Sequence, residues 1–405
     1  MSLKTFAIIG GGAAGIFAAL SAAERKQYKE IIVFEASSSL LQKVKISGGG
    51  RCNVTHNCFD PEALIQNYPR GKQFLKRLFY EFQPQDTVEW FQKRGVKLKT
   101  EADGRMFPIT DSSQTIIDCF LHEIKKHTIQ IRYNSRITHV KKSNDQFILT
   151  LHDNTSQKCD ALLIATGSSK VGYTLAESLG HSQVDTVPSL FTFKISDKRL
   201  KDISGVSCNK VTAKLHFKKS KYQQTGPLLI THWGLSGPAI LKLSAFAAKE
   251  LHDNKYKTDL KIDFVPEISH EKLLHFLTKS KDTFKQKLLT NIHPFEFPKS
   301  LWKNLLEHLS IPSQTTWGTL SKKVINKICE ELTNSTFQVE GKGVFKDEFV
   351  TCGGISLKEV DSKSMQSKLC NNLFFAGEVL DIDGITGGFN FQSAWTTGYI
   401  VGKSV

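Results

Sequence analysis

The sequence lacks any long hydrophobic run. Although 40% of its 405 residues are hydrophobic, no segment approaches the roughly 18–20 apolar residues that span a bilayer. The apolar N-terminus has the pattern of a short strand followed by a glycine turn, which is not the pattern of a signal peptide. We therefore expect a cytoplasmic protein with no membrane contact, long enough for two or three domains with substantial cores.

The eight cysteines form no CxxC pair and no paired metal-ligand spacing. They lie at positions 52, 58, 119, 159, 208, 329, 352 and 370. Scattered in this way they are typical of reduced cytosolic thiols, which argues against a disulfide framework. A thiol–disulfide relay is also disfavoured, because five residues separate Cys52 from Cys58. We predict no metal site.

No basic tract reaches five residues, although the formal net charge is +15. Such a charge can attract nucleic acid or another anionic partner. Here the lysines are spread along the whole chain, as in 210–221 and 272–287, and this favours solvated surfaces, some of them facing an anionic cofactor or substrate. A small-molecule substrate is the preferred prediction and nucleic acid the less favoured one; the sequence carries no signal for an oligomeric state.

The N-terminal segment Phe6–Gly15 reads FAIIGGGAAG, an apolar strand followed by Gly10-x-Gly12-x-x-Gly15. In a dinucleotide site the first glycine allows a tight turn, the second lets the backbone approach the pyrophosphate, and the third lets the helix pack close to the strand. The helix then directs its positive N-terminal end at the phosphates. The pattern predicts a dinucleotide-binding βαβ unit whose first helix spans Ala14–Arg25.

Glu35 ends the predicted second strand, Ile31–Glu35, 20 residues after Gly15. A carboxylate at this offset accepts hydrogen bonds from the 2′- and 3′-hydroxyls of an adenosine ribose. It would repel a 2′-phosphate, which disfavours NADP at this site. The alternative is an ordinary surface glutamate, and the position at a strand end favours the ribose.

A second glycine-rich turn precedes a predicted helix at the other end of the chain. Residues 376–399 read AGEVLDIDGITGGFNFQSAWTTGY, with the helix predicted at Phe389–Val401. Glycine turns before helices at both ends indicate that the chain returns to the same ligand. This favours FAD over NAD.

Three consecutive glycines, Gly48–Gly50, have polar neighbours that include Lys43, Arg51 and Asn53. We predict a loop over Lys43–Thr55 whose backbone lies against a flat or anionic part of the cofactor. A mobile surface loop is the alternative. It would seldom concentrate so many cationic and amide side chains around its glycines.

Two further glycine motifs follow apolar strands. Leu162–Gly167 reads LLIATG, which suits close passage of the chain by a cofactor, and Thr351–Gly354 reads TCGG, which predicts a turn after a strand at Phe349–Thr351. Elsewhere, Asp86–Glu89 has the pattern of a capping box that starts a short helix. The alternation of apolar and polar residues over 211–217 predicts a half-buried strand.

These elements predict an α/β fold with an interrupted first domain. The FAD-binding domain is assigned to 1–188 and 345–405, a β-rich inserted domain to 189–266 and 333–344, and a small helical subdomain to 267–332. The first of these is Rossmann-like, since strands alternate with helices of crossover length. There are no internal repeats and no low-complexity linkers.

Taken together, the motifs resemble the BaiN-like bacterial flavoproteins of the glutathione-reductase and fumarate-reductase superfamily. Seven of them occur in order: GGGAAG, KxxxSGGGRCNVT, GRMFPITD, LLIATG, THWGLSGPAIL, TCGGI and AGEVLDIDGITGGFNFQSA. Members of this family are NAD(P)/FAD-dependent oxidoreductases, among them aminoacetone oxidases and bile-acid enone reductases. The resemblance implies tightly bound FAD, a Rossmann-like FAD-binding domain of glutathione-reductase type, a β-barrel-like insert and a helical subdomain.

Carried over by position, the resemblance implies a set of cofactor contacts. The glycine turn and Glu35 would bind the pyrophosphate and ribose, Ile137 the adenine, Glu378 a ribitol hydroxyl, and the turn before the last helix the pyrimidine edge of the flavin. The full set is Gly10, Gly12, Ala14, Gly15, Glu35, Ala36, Lys43, Ser47, Gly48, Gly49, Gly50, Arg51, Cys52, Asn53, Ile137, Ala165, Thr166, Gly167, Gly377, Glu378, Gly387, Gly388, Phe389 and Asn390.

Two positions depart from the family pattern. The segment after the ATG motif is shorter here, with only Ser168–Gly172 before Tyr173, so the substrate class does not carry over. His56 replaces the usual asparagine after RCNVT, and we expect it to face solvent rather than act as a proton donor.

The predicted function is hydride transfer through flavin N5, from an organic substrate or NAD(P)H to an acceptor such as an enone or O₂. No second GxGxxG follows a later strand, so NAD(P)H would bind only transiently. His232, Trp233 and Ser236 either line the substrate side or belong to a strand–turn–helix junction, and no catalytic acid or base is assigned. The alternatives are a flavin-containing RNA-associated protein, a colourless NAD-dependent dehydrogenase, and a flavin-binding protein without turnover.

Overall fold

The computed structural model describes residues 4–343 and 350–405, which form two compact units. Unit 1 comprises the chain up to Thr186 together with Val350–Val405, and unit 2 comprises the chain from Val187. Both ends of the chain therefore contribute to unit 1. The predicted return to the first domain at residue 345, and the start of the strand predicted at Phe349–Thr351, lie outside the described residues.

The strands and helices are numbered along the chain. The strands are β1 Thr5–Ile9, β2 Glu30–Phe34, β3 Thr55–His56, β4 Leu98–Thr100, β5 Arg105–Pro108, β6 Gln130–Arg132, β7 Ile137–Ser143, β8 Gln146–Leu151, β9 Ser156–Cys159, β10 Ala161–Ile164, β11 Gln183–Ser189, β12 Phe193–Lys194, β13 Ser207–His216, β14 Lys221–Thr231, β15 Gly234–Ser236, β16 Thr258–Asp263, β17 Ser335–Val339, β18 Gly341–Lys342, β19 Val350–Ile355 and β20 Leu373–Phe375. The helices are α1 Ala13–Arg25, α2 Gln42–Gly50, α3 Pro61–Leu64, α4 Lys72–Phe79, α5 Pro84–Gln92, α6 Ser113–Lys126, α7 Lys170–Ser178, α8 Pro238–Phe246, α9 Ala248–Asp253, α10 His270–Thr283, α11 Lys299–His308, α12 Lys322–Asn334 and α13 Phe389–Ser404.

Unit 1 is built on a parallel sheet of five strands in the order β20-β10-β1-β2-β6. Its central strands are short apolar runs such as TFAII and ALLI, and nearly every residue in them is buried. Continuous apolar runs are typical of parallel strands because helices cover both faces of the sheet. The predicted α/β fold with a Rossmann-like first domain is confirmed.

Helices α1 and α13 pack closely because glycines leave room for backbone contact. A Cβ at Gly398 would lie 2.5 Å from the carbonyl oxygen of Ala14, and one at Gly402 would lie 2.4 Å from Cβ of Ser21. The helix that follows the first glycine turn is thus fixed against the last helix of the chain. This contact holds the two predicted glycine turns in one unit.

Unit 2 contains an antiparallel sheet of seven strands in the order β17-β16-β13-β14-β15-β12-β18. The alternating strand predicted over 211–217 is part of β13, whose inward residues Val211, Ala213 and Leu215 are fully buried. The same hydrophobic core includes Leu273 of α10 and Leu301 of α11. Strands and helices of this unit therefore share one core.

Three local predictions were wrong. Helix α5 begins at Pro84 rather than at Asp86, because Asp86 is the third helical residue and accepts from the backbone N–H of Gln83 at 2.8 Å. Residues 42–46 are helical rather than part of a loop, and the chain turns only at Ser47. The TCGG segment lies within β19 rather than in a turn, since Gly353 and Gly354 let β19 approach neighbouring backbone closely.

In the described ranges, no helix combines the length and the apolar character needed to cross a membrane.

A buried histidine in unit 1 lies between a serine and a glutamate. His181 Nε2 is 2.8 Å from Ser367 Oγ, and His181 Nδ1 is 3.2 Å from Glu359 Oε2. Ser367 Oγ also accepts from the backbone N–H of Cys370 at 2.8 Å. Because the serine hydroxyl is only 3% exposed and is used in this way, the group stabilises the fold and offers no accessible nucleophile.

The buried position of His181 leads us to expect a loss of stability at mildly acidic pH. Burial lowers the pKa of His181 below its usual 6.5, outweighing the opposing charge of Glu359. The unfolded chain therefore binds the proton more readily, and the free energy of unfolding falls as the pH drops through 6.5. We expect His181→Gln to flatten this slope between about pH 7.5 and pH 5.5, measured by denaturant unfolding at several pH values. An identical slope in the variant would contradict the assignment.

Candidate functional site

The first glycine turn connects β1 to α1 and is shaped by two close approaches. Gly10 has φ +111°, and a Cβ there would lie 2.4 Å from the carbonyl oxygen of Ala165 at the end of β10. A Cβ at Gly15 would lie 2.0 Å from the carbonyl oxygen of Gly10. The backbone thus requires glycine at both positions, which places the start of α1 directly above the sheet.

Gly12, by contrast, faces open space. A Cβ on Gly12 would have no neighbour within 4 Å, and Gly12 caps α1 without a side-chain hydrogen bond. The first turn of α1 contains no acidic residue, so its backbone N–H groups and the helix dipole attract a negative group from outside. The predicted role of Gly12 as the point of closest backbone approach to a pyrophosphate matches this opening.

Glu35 lies beside the same turn, just after β2. Its Oε2 accepts from the backbone N–H of Gly11 at 2.9 Å, and its Oε1 accepts from the N–H and hydroxyl of Ser37 at 2.8 and 2.7 Å. The carboxylate is therefore fixed in direction before any ligand binds. Oε2 accepts only one hydrogen bond and therefore keeps a further lone pair for a ribose hydroxyl. Ala36, the next residue, is exposed.

The glycine run at the end of α2 forms a left-handed turn with an open surface. Gly48, Gly49 and Gly50 have φ values of +58°, +69° and +85°. A Cβ on Gly48 would lie 2.9 Å from the ring of Phe107, whereas Gly49 and Gly50 have no neighbour within 4 Å. This turn leaves two consecutive peptide groups accessible, as a flat ligand needs.

The residues after this run fix its end in place. Arg51 forms an ion pair with Glu101 at 2.6 Å, and its guanidinium lies 4.0 Å above the centre of the Phe107 ring. Cys52 is fully buried, and burial raises the pKa of its thiol to about 12. At neutral pH this thiol is therefore protonated and unreactive. Cys52 forms no disulfide, and the absence of a thiol relay stays a prediction.

A charged pair joins the two ends of the chain. Lys43 Nζ lies 2.5 Å from Glu378 Oε2, and the other oxygen of Glu378 accepts from the backbone N–H of Thr351 at 3.1 Å. Gly167 is adjacent, since a Cβ there would lie 3.7 Å from Glu378 Oε2. Gly377 contacts α1, since its Cβ would lie 2.8 Å from Cβ of Ala14. The predicted residues of three separate motifs are therefore neighbours.

The start of α13 is held by residues from the glycine loop. The Asn53 amide accepts from the backbone N–H of Gly388 at 2.9 Å and donates to the Thr55 carbonyl at 3.0 Å. A Cβ on Gly388 would lie 2.5 Å from that carbonyl oxygen. The side chain of Asn390 accepts from the N–H of Gly384 and donates to its carbonyl at 2.8 and 2.9 Å, which closes the turn before the helix.

His56 was wrongly expected to face solvent. It is half-buried, its Nδ1 lies 3.0 Å from the carbonyl oxygen of Gly387, and its ring centre is 4.6 Å from that of Phe389. The physical reason is the pairing of β3 with β5, which carries the ring towards the start of α13. A Cβ on Gly104 would lie 2.5 Å from this ring.

Below the start of α13 lies a buried polar network that sequence reasoning missed. Gln392 accepts from the hydroxyls of Thr55 and Thr87 at 2.6 and 2.9 Å and donates to Thr396 at 3.1 Å. Trp395 donates to the carbonyl of Val54 at 2.9 Å. Fully satisfied buried networks specify one arrangement, so this one fixes α13 relative to the glycine loop.

Six buried side-chain polar atoms lack a hydrogen-bond partner among the described residues, and three of them belong to residues near the predicted ATG motif and Glu378. These three are Thr166 Oγ1, the Tyr173 hydroxyl and Asp381 Oδ1. Burial raises the pKa of Tyr173 to about 12, and the charges of Glu378 and Asp381 add to the effect. The phenol is therefore protonated at neutral pH. Thr166 was predicted from the ATG motif, whereas Asp381 lies in the last motif but was not predicted as a contact, and Tyr173 lies outside the motifs.

Ile137, the predicted adenine contact, follows a segment that is hydrogen-bonded to the Glu35 region, since the N–H of Ser135 donates to the Glu35 carbonyl at 2.8 Å. It begins β7, in a separate sheet with β8 and β9, and is 1% exposed. This position does not test whether Ile137 contacts the cofactor. The adenine contact stays a prediction.

The residues of unit 1 fit an FAD molecule. At Gly12, Gly49 and Gly50 the backbone borders open space, which a side chain would occupy but which glycine leaves free for a ligand. The buried hydroxyl of Thr166 lacks a partner, Glu35 is oriented for a ribose, and the first turn of α1 attracts phosphate. A pyrophosphate, a ribose and a flat ring system each meet a suitable group. The predicted contacts themselves stay predictions.

Comparison with known proteins gives matches along the whole chain. The family model described as HI0933-like protein Rossmann domain matches residues 4–404. A 3-dehydro-bile acid delta(4,6)-reductase from Clostridium scindens is 28% identical over 414 residues, with 99% of each chain covered. A ribosomal RNA dihydrouridine synthase from Haemophilus influenzae is 29% identical over 412 residues, covering 98% of this chain and 97% of its own.

A ribosomal RNA dihydrouridine synthase from Escherichia coli is 28% identical over 400 residues, and the alignment covers 97% of this chain and 95% of that protein. Among solved structures, the open conformation of a flavocytochrome c3 fumarate reductase matches with a TM-score of 0.50 and 14% identity, covering 99% of this chain and 78% of its own. At that identity the likeness concerns the fold alone.

Proposed function

This chain belongs to the HI0933-like Rossmann family, and on that premise we propose that it is an FAD-dependent oxidoreductase that reduces a carbon–carbon double bond conjugated with a carbonyl group. The observation that carries the proposal is the open cradle at Gly12, between the oriented Glu35 carboxylate and the uncapped first turn of α1. The chemistry of the acceptor is supported by the relatives' names.

Those names share one structural element of the substrate. A 3-dehydro bile acid has a ketone at C3, and double bonds at positions 4 and 6 are conjugated with it. Dihydrouridine is uridine whose C5=C6 bond has been saturated, and that bond is conjugated with the C4 carbonyl. Both reactions thus add a hydride to the carbon far from the carbonyl and a proton to the carbon beside it.

When bound, FAD would supply hydride-transfer chemistry at N5, with NAD(P)H as the source of the two electrons. The net reaction consumes NAD(P)H, one proton and the conjugated alkene, and it yields NAD(P)⁺ and the saturated carbonyl compound. The chain's own contribution is to bind and orient: α1 attracts the phosphates, Glu35 binds the ribose, and Lys43 and Glu378 hold the middle of the cofactor. Helix α13 directs its N-terminal N–H groups to the flavin, where a helix N-terminus stabilises negative charge.

A second candidate acceptor is a uracil of ribosomal RNA. The net charge of +15 favours it, because cationic proteins gain affinity for RNA through phosphate contacts. Two of the full-length relatives are named for this reaction. The redox chemistry is the same as for a small enone, so the two candidates differ only in how the acceptor is bound.

The test is anaerobic oxidation of the reduced protein. Purified protein should show flavin bands at roughly 375 and 450 nm and release FAD on denaturation. After reduction by NADH or NADPH, either a 3-oxo-Δ4 steroid or unmodified ribosomal RNA is added, and recovery of the 450 nm band is followed. Recovery with the steroid supports the first candidate and recovery with RNA the second. A colourless protein that takes up no FAD, or a flavin that neither acceptor reoxidises, would overturn the proposal.

Glu378→Ala should weaken FAD binding. The variant loses the carboxylate that would accept from a ribitol hydroxyl, a charged hydrogen bond of about 1.5–3 kcal/mol, so we expect the Kd for FAD to rise roughly 10- to 100-fold. Glu378→Gln keeps an acceptor at the same place and should lose less. Fluorescence titration of the apoprotein with FAD measures both. Equal affinity for Glu378→Ala and the wild type would remove Glu378 from the site.

A further inference from the structure

Unit 2 has its own cleft of about 440 Å³, at the turn that joins β14 to β15. Its walls are the turn itself, with His232 and Trp233, and the segment after β12, with Lys194, Lys198 and Lys201. All the lining residues belong to unit 2. The predicted strand–turn–helix junction is confirmed here, since β15 is followed by Gly237 and then by Pro238 as the first residue of α8.

Trp233 presents its ring to solvent from a fixed backbone. It is 46% exposed, whereas each of the other four tryptophans is at most 8% exposed. Its N–H donates to Thr231 Oγ1 at 3.3 Å, and its carbonyl accepts from the N–H of Ile195 at 2.9 Å. Gly234 makes the turn tight, because a Cβ there would lie 2.4 Å from the Phe193 carbonyl oxygen. A rigid, exposed indole of this kind offers a stacking surface.

The three lysines that line the cleft, Lys194, Lys198 and Lys201, are exposed and form no ion pair among the described residues. Asp197 lies in the same wall, but it is engaged by the guanidinium of Arg199 at 2.6 Å. The cleft therefore combines an exposed aromatic ring with three available cations.

We propose that this cleft binds a nucleotide of single-stranded RNA, with its base on the Trp233 indole and the neighbouring phosphates at Lys194, Lys198 and Lys201. Bases that are not paired stack on aromatic side chains, while lysines bind the backbone. A duplex would keep its bases stacked inside and leave the indole unused. The inference rests on the second candidate of the proposed function, for which it supplies an RNA-docking site whose lining residues all belong to unit 2.

The experiment uses the full-length, FAD-loaded protein and a fluorescein-labelled single-stranded RNA of about twelve nucleotides, followed by anisotropy. Lys194→Gln/Lys198→Gln/Lys201→Gln should raise the Kd at least tenfold. Loss of three phosphate contacts should also lower the slope of log Kd against log salt concentration by about 2. The matched control is the triple variant Lys218→Gln/Lys219→Gln/Lys221→Gln. It removes the same charge from exposed residues of the β13–β14 hairpin, and its Kd should stay within about twofold.

Trp233 gives an independent measurement. Trp233→Ala should weaken RNA binding about tenfold or more without changing the salt dependence, whereas Trp233→Phe should keep most of the affinity. Because Trp233 is the exposed tryptophan, bound RNA should also shield it from quenching by acrylamide. Equal loss in both lysine triples, or unchanged binding by Trp233→Ala, would overturn the proposal and indicate attraction by diffuse charge. Binding of inorganic polyphosphate as tight as that of RNA would overturn it as well.

Failure of this inference and failure of the proposed function are distinguishable. The cleft variants should retain FAD and reoxidise with the steroid like the wild type, because no cofactor contact is altered. Reduction of uracil in RNA with the same KM in the cleft variants as in the wild type would disprove the docking site and leave the reaction intact. RNA binding that depends on Trp233, in a protein that reduces neither acceptor, would support the docking site and disprove the reaction.

Discussion

Gly12→Val should leave a folded protein that has lost its FAD. The new side chain meets no protein atom, since a Cβ at Gly12 has no neighbour within 4 Å, and φ of −84° suits valine. The same methyl groups occupy the space where a pyrophosphate would approach α1. We expect the Kd for FAD to rise at least about 100-fold, equivalent to about 2.7 kcal/mol. Absorbance at 450 nm and FAD titration of the apoprotein measure the effect.

Two other glycine substitutions serve as controls for this result. Gly341→Val in unit 2 also enters open space at a glycine without positive φ, and it should retain FAD fully. Gly15→Val should instead damage the fold, because its Cβ would lie 2.0 Å from the carbonyl oxygen of Gly10. The less favourable helix cap makes Gly12→Val about 1 kcal/mol less stable. A folded Gly12→Val protein that retains all of its FAD would contradict the assignment of the glycine turn to the cofactor site.

Arg199→Ala should destabilise unit 2 more than any surface change. The side chain is 4% exposed, and its guanidinium contacts Asp197 at 2.6 Å and Glu331 at 2.8 Å while lying 3.8 Å above the ring centre of Phe337. Removing it leaves two carboxylates without their cation, and broken buried pairs cost about 3–5 kcal/mol. We expect a loss of that size in the free energy of unfolding of unit 2, measured by denaturant titration.

The conservative variant and a surface pair make this prediction specific. Arg199→Lys keeps the charge but loses the planar fork that binds both carboxylates, so it should recover only part of the stability. Lys210→Ala removes an ion pair whose side chains are 54% and 70% exposed, and it should change stability by about 0.5 kcal/mol or less. If Arg199→Ala lowered the free energy of unfolding no more than Lys210→Ala, the buried ion-pair network would not contribute to the stability of unit 2.

The fold was largely predictable because its signals are local. Continuous apolar runs in β1 and β10 predicted buried parallel strands, and the spacing of Gly10, Gly12 and Gly15 predicted the turn. Those glycines are required by contacts within a few residues or with the adjacent strand. One error was local in origin, since an aspartate was taken for the cap of α5 when it is the third residue of that helix. The TCGG error was not, because the backbone that Gly353 approaches belongs to Asp185, far away in the sequence.

The candidate site was predictable as a set of motifs but not as an arrangement. Each glycine motif could be identified from spacing, whereas the pairing of Lys43 with Glu378 joins residues 335 positions apart. The same is true of Asn53 at the start of α13, and of His56 beside Phe389. Tyr173 lies outside the motifs, and Asp381 lies within the last one without having been singled out; the structure distinguishes both by a buried polar atom without a partner among the described residues.

The sequence by itself determined the class of fold, the family and the kind of cofactor, because these depend on backbone requirements that recur at fixed spacing. Only the tertiary structure decided which side chains meet, since that depends on how α1 packs against α13 and on which strand pairs with which. It also decided that Trp233 is an exposed ring in a cleft lined by three lysines, a choice that the sequence left open. Periodicity records which face of an element is buried, but the partner of that face is set by packing between distant parts of the chain.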